Sequence, residues 1–136
     1  MAERILLVED EEKLARMVEL ELQYEGYEVE KAFDGRAGLD RALSGEFDLV
    51  LLDIMMPQMD GFDVLKVMRC YSWLDEIPVI MISAAKDTAN IERAYDLGVA
   101  DYMRRPFERV MVLRRVKNAL MLYAKQKRLT RLVTDQ

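Results

Sequence analysis

The sequence predicts an α/β fold: an open parallel sheet, doubly wound, with helices on both faces. Two observations carry that reading. Short apolar runs alternate with stretches of helical period five times along the chain, the pattern of successive βα units. The runs are also continuously apolar, as strands buried on both faces of a parallel sheet must be.

Each element has its own signal. The first strand, 4–8, contains Ile5-Leu6-Leu7-Val8 and is followed at once by Glu9-Asp10. Glu11 and Glu12 then open helix 11–25, where acidic side chains meet the positive end of the helix dipole. Gly26 stops that helix at a position tolerant of left-handed backbone. Strand 27–32 and helix 35–44 follow, ended by Gly45. Strand 47–52 carries Leu49-Val50-Leu51-Leu52 and delivers Asp53 at its end; a turn with Pro57 and Gly61 leads into helix 60–70. Strand 77–82 contains Val79-Ile80-Met81-Ile82 and is followed by Ser83-Ala84-Ala85. Helix 87–97 stops at Gly98. Strand 99–103 ends in Tyr102-Met103, Arg104-Arg105-Pro106-Phe107 follow, and a last helix begins at 107.

Composition narrows the function classes. With 136 residues, 51% apolar and 33% charged, the chain reads as one globular domain with a real core. No apolar run reaches membrane-spanning length, and the start has no secretory leader pattern. A single cysteine, Cys70, forms no internal disulfide and fits a reducing cytoplasm. With no histidine and one cysteine, zinc centres and Ser/His catalysis are excluded. Charge is uneven: residues 1–103 carry 10 basic and 23 acidic side chains, a net of −13, and residues 104–136 carry 10 and 2, a net of +8. A solvated basic helix balancing an acidic body accounts for this without nucleic-acid binding.

The strand ends bring chemistry to one rim. Three carboxylates (Glu9, Asp10 and Asp53), the Ser83 hydroxyl and the Arg105 guanidinium all fall at the carboxyl edge of the sheet, where open α/β folds bind ligands. Clustered carboxylates repel, and Mg²⁺ favours such oxygen donors; with Arg105 it would neutralise all three. An Asp so placed can attack a phosphoryl group and form an aspartyl phosphate. The transferred oxygens would meet Mg²⁺, Ser83 and Arg105.

Taken together, Glu9-Asp10, Asp53-Ile54-Met55-Met56-Pro57-Gln58-Met59-Asp60-Gly61, Ile80-Met81-Ile82-Ser83-Ala84 and Tyr102-Met103-Arg104-Arg105-Pro106-Phe107 resemble a bacterial two-component response-regulator receiver domain. The resemblance covers about residues 3–122. It implies the flavodoxin-like strand order 2-1-3-4-5 and Asp53 as phosphoacceptor, charged by a sensor histidine kinase in the cytoplasm. It further implies metal binding by Glu9, Asp10, Asp53 and the Met55 backbone carbonyl. Ser83 matches the residue that contacts the phosphoryl group, and Tyr102 the aromatic switch residue. Glu9 stands where an Asp is commoner. Arg105 stands where the family has a nearly invariant Lys, and a planar guanidinium is not a compact ammonium. An alternative is therefore a pseudo-receiver, an interaction module with weak or no phosphorylation.

Other classes fit less well. A dehalogenase-type phosphatase would want a second Asp two positions after Asp53, where Met55 stands. A flavin carrier would need a phosphate cradle after the first strand, not Glu9-Asp10-Glu11-Glu12. No catalytic or DNA-binding output domain fits within this length, so the expected domain is 1–122, with 123–136 a helical extension or linker toward an output domain. The last helix continues without proline or glycine, and ~29 residues would reach about 43 Å. Leu129, Leu132 and Val133 keep an apolar stripe beyond Tyr123, flanked by Lys125, Lys127, Arg128 and Arg131. That stripe predicts a partner helix, with a homodimer through the last strand and this helix. Residues 114–123 also resemble the signalling helix that joins some receivers to cyclic-dinucleotide enzymes.

Overall fold

The computed structural model describes residues 2–44, 46–71, 77–83, 88–104 and 108–134. Five parallel strands form one sheet in the order β2-β1-β3-β4-β5: β1 (Arg4–Val8), β2 (Glu28–Ala32), β3 (Leu49–Asp53), β4 (Val79–Ser83) and β5 (Asp101–Arg104). Helices α1 (Glu12–Tyr24), α2 (Gly35–Ser44), α3 (Gly61–Cys70), α4 (Thr88–Asp96) and α5 (Arg109–Thr134) alternate with them. The flavodoxin-like order expected from the resemblance is the order found.

Side-chain alternation along the strands divides the core in two. Ile5, Leu7, Leu49, Leu51, Ile80 and Ile82 face α1 and α5, where Val18, Leu22, Val112 and Val116 meet them. Leu6, Val8, Val50, Leu52 and Met81 face the other way, against Leu39, Phe62, Leu65 and Ala94. Both faces of β3 and β4 are covered, and all ten of their residues are buried. That is why these two strands read as unbroken apolar runs. β2 lies at the edge and keeps charged side chains, with only Ala32 buried, which blunts a free strand edge.

Boundaries shift by a residue or two from those the sequence predicts. Gly26 and Gly98 end α1 and α4 with φ of 97° and 101°, the left-handed stop expected of them; Gly45 lies outside the described residues. β5 begins at Asp101 rather than 99, because the Val99 N–H still donates to Ala94 O of α4, at 3.3 Å. β3 runs through Asp53, which pairs in register with Ile82. Cys70 is exposed.

Candidate functional site

Register brings the acidic residues together. β1 and β3 are direct neighbours, with Val8 opposite Leu52, so Glu9 and Asp53 leave the sheet side by side. One oxygen from each of Glu9, Asp10 and Asp53 lies within 4.8 Å of the others. Glu9 and Asp53 are buried and Asp10 is exposed, which gives a closed floor and one open side.

Backbone donors orient the two buried carboxylates. The Glu11 N–H donates to Glu9 Oε2 at 3.1 Å and the Met55 N–H donates to Asp53 Oδ1 at 3.3 Å. Met55 itself is 63% exposed, so the turn presents backbone to the carboxylate and side chain to solvent. Burial and the facing Asp10 push the Asp53 carboxyl up to about 7, although the N–H groups of Met55 and Ile54 pull the other way. Desolvation of the charged form is the dominant cause.

The turn behind Asp53 is tightly built. The Gly61 N–H donates to Ile54 O at 3.1 Å and the Ile54 N–H to Ile82 O at 3.0 Å. Gln58 takes φ of 65° to reverse the chain. Asp60 caps α3: its side chain accepts the Asp63 N–H at 2.9 Å while Asp63 accepts the Asp60 N–H at 3.1 Å, a reciprocal capping box.

Ser83 ends β4 one residue beyond the Asp53–Ile82 pair and is fully buried. On β5, Tyr102 pairs with Met81 and turns inward, 6% exposed, its hydroxyl buried and, among the described residues, lacking a hydrogen bond. A buried hydroxyl in that state is costly. Arg104 is exposed. Arg105, with Pro106 and Phe107, lies outside the described residues, as do Ala84 and Ala85.

The model of the response regulator receiver domain matches residues 5–117. The chain belongs to that family. Relatives of this receiver domain include the response regulator ArlR of Staphylococcus saprophyticus, 40% identical over 117 residues, covering 86% of this chain and 52% of the relative. An uncharacterized transcriptional regulatory protein of Bacillus subtilis, YkoG, is 43% identical over 116 residues, 85% of this chain and 50% of the relative. This receiver domain thus spans about half the length of the curated relatives it matches. Among solved structures, a CheY-like receiver domain protein from Methanospirillum hungatei superposes with a TM-score of 0.86 at 28% identity, covering 93% of this chain and 99% of that one. Receiver domains typically bind Mg²⁺ at an acidic pocket, and Glu9, Asp10 and Asp53 form one here. Among the described residues, no helix is long and apolar enough to cross a membrane.

Two features of the site escape sequence reading. The close seat of Gly61 on the Asp53 backbone arises from how α3 folds back on β3, although the Asp60-Gly61 pair marks a tight turn. The stack of Arg93 on Phe62, 4.1 Å from guanidinium carbon to ring centroid, joins residues 31 apart and leaves no local signal.

Proposed function

We propose that the domain is a phosphoacceptor switch of a two-component system, in which a sensor histidine kinase transfers a phosphoryl group to Asp53. The observation that carries this reading is the cluster of Glu9, Asp10 and Asp53, with the phosphoacceptor candidate buried, backbone-oriented and pushed up to about 7. The donor set fits Mg²⁺: three hard oxygen ligands, formally −3, with an open side at Asp10. Glu9, Asp10 and Asp53 would hold the ion with the Met55 backbone carbonyl. When bound it supplies positive charge that favours ionised Asp53 and offsets the phosphoryl oxygens.

The residues have distinct tasks. An Asp53 oxygen attacks phosphorus; the new P–O bond forms as the phosphohistidine P–N bond breaks, and the departing imidazole keeps the electron pair and takes up a proton. The Ser83 hydroxyl and the Arg105 guanidinium serve the transferred oxygens. Tyr102 reports the change: its buried hydroxyl gains a partner if Ser83 moves toward the phosphoryl group. Residues 1–122 form the switch, and 123–136 lead toward an output domain in a longer regulator, as the half-length match suggests. β5 and α5, out to the exposed Leu129 and Leu132 at the far end of the helix, form the self-association face.

Mass spectrometry after incubation with Mg²⁺ and a small phosphodonor tests the reading. One added phosphoryl group, on the peptide containing Asp53 and absent in Asp53→Asn, is the expected result. No label under saturating donor would instead favour the pseudo-receiver, with Arg105 in place of the usual Lys as the reason.

A further inference from the structure

A guanidinium on α4 lies over the ring of Phe62, the residue that follows the turn behind Asp53. Arg93 Cζ sits 4.1 Å from the Phe62 ring centroid, within cation–π range. Phe62 is 2% exposed and occupies the second position of α3, directly after Gly61. Gly61 packs backbone to backbone against the end of β3: an added Cβ there would lie 2.4 Å from Asp53 O and 2.9 Å from Ile54 Cα. Its N–H is bound to Ile54 O at 3.1 Å. Phe62 follows Gly61 directly, so the seat of its ring bears on how Gly61 rests against the Asp53 backbone. The same turn supplies the Met55 N–H that orients Asp53 Oδ1.

We infer that Arg93 is a positioning residue for Asp53, acting through Phe62 and Gly61. Stacked on the ring, it holds the first turn of α3, and with it the turn from Ile54 to Gly61, in the register that keeps the Asp53 carboxylate among Glu9 and Asp10. The guanidinium suits this because it is flat, permanently charged and weakly hydrated, so it can lie on a ring face at the protein surface. The stack also ties α4 to the acidic cluster by a route separate from Ser83 and Tyr102. The rest of α4 is held at Ala94, Ile91 and Leu97 in the core and by the Tyr95 hydroxyl donating to Asp101 at 3.3 Å.

The functional readouts rest on the Mg²⁺ and phosphoryl-transfer reading above, so the test includes one measurement that does not. In the full chain, Arg93→Met keeps the stem and removes the cation, and Arg93→Lys keeps a cation. Mg²⁺ affinity by calorimetry and the saturating rate of phosphorylation by a small donor should each fall about two- to fivefold in Arg93→Met, the size of one exposed cation–π contact. Arg93→Lys should recover part of the loss, and the half-saturating donor concentration should stay constant because Arg93 does not touch the donor. The Asp53 carboxyl carbon resonance, followed by NMR in metal-free protein, should shift in Arg93→Met and move back toward wild type in Arg93→Lys. A lower melting temperature in Arg93→Met with Mg²⁺ affinity, rate and the Asp53 resonance all unchanged would reduce Arg93 to packing and overturn the inference. If wild type binds no Mg²⁺ and takes no phosphoryl group, the functional reading fails by itself, and the Asp53 resonance alone decides the role of Arg93.

Discussion

Gly61 is seated on the backbone of Asp53: a Cβ at residue 61 would lie 2.4 Å from the Asp53 carbonyl oxygen. The helix that follows the site is thus anchored to the strand that carries the phosphoacceptor candidate with no side chain between them. Backbone on one side and backbone on the other leave nothing flexible to yield.

Gly61→Ala should therefore be disruptive out of proportion to one methyl group. Overpacking against a rigid neighbour costs about 1–3 kcal/mol, and the Gly61–Ile54 hydrogen bond at 3.1 Å would stretch with it. Thermal unfolding should show a clear fall in melting temperature, and Mg²⁺ affinity should fall too, because Asp53 shifts. An alanine variant with wild-type stability and wild-type affinity would mean the turn relaxes freely.

Most of the fold was legible because burial wrote it into the sequence. β3 and β4 are covered on both faces, so Leu49–Leu52 and Val79–Ile82 had to be apolar throughout. The acidic cluster of the candidate site was legible because Glu9, Asp10 and Asp53 sit at or just past strand ends, where register fixes their place. What stayed hidden depends on contacts between distant elements. Nothing near Arg93 announces Phe62, and nothing near Glu19 announces that a glutamate on the buried face of α1 is held by Arg16 and Lys31. A charged residue in a helix reads as solvated until its neighbours are known.

That Glu19 pairing gives a pH prediction. Burial raises the Glu19 carboxyl, but hydrogen bonds and charge from Arg16 at 2.8 Å and Lys31 at 3.1 Å outweigh it and hold it below the ordinary 4.5. A lowered folded value stabilises the protein above the unfolded value and loses that contribution as pH falls through the folded one. Glu19→Gln should cost roughly 1–3 kcal/mol at neutral pH, and the difference from wild type should shrink below about pH 4.5. Denaturant unfolding at pH 7 and pH 3.5 measures it; a gap that stays constant across that range would count against the ion pairs as its source.

Asp53 has the opposite sign. Its folded carboxyl is raised from 3.8 to about 7, so between these values the folded state holds a proton that the unfolded chain has released. Metal-free stability from this group falls as pH rises through that window. Mg²⁺ competes with the same proton. Its stabilising effect, a rise in melting temperature with millimolar ion, should be small at pH 5.5 and larger at pH 8. Asp10→Asn should respond much less at either pH, since it removes one ligand and part of the repulsion. Equal shifts in wild type and Asp10→Asn would place the ion elsewhere.

The last prediction concerns the far end of α5. At 26 residues the helix is about 39 Å long, more than twice the reach of the five-residue strands it covers. Val112, Val116 and Ala119 are buried against the sheet, and Tyr123 is the last residue of α5 that is even partly covered among those described. Beyond it, Leu129 and Leu132 are 62% and 57% exposed, and Leu122, two turns before Leu129, is 60% exposed. Leu122 and Leu129 are seven residues apart and share one face of the helix. Single helical turns without tertiary contacts are marginal in water, so a continuous helix carrying exposed leucines is better stabilised by a partner than alone. A second copy of the chain is the partner proposed above. Sedimentation should show the whole chain associating as concentration rises, while a chain ending at Tyr123 stays monomeric. Helicity should fall on truncation by more than the missing 13 residues would account for, because the partner also orders the turns before them. If both chains remain monomers at high concentration and helicity falls only in proportion to length, the exposed stripe is a solvated extension rather than an interface between copies.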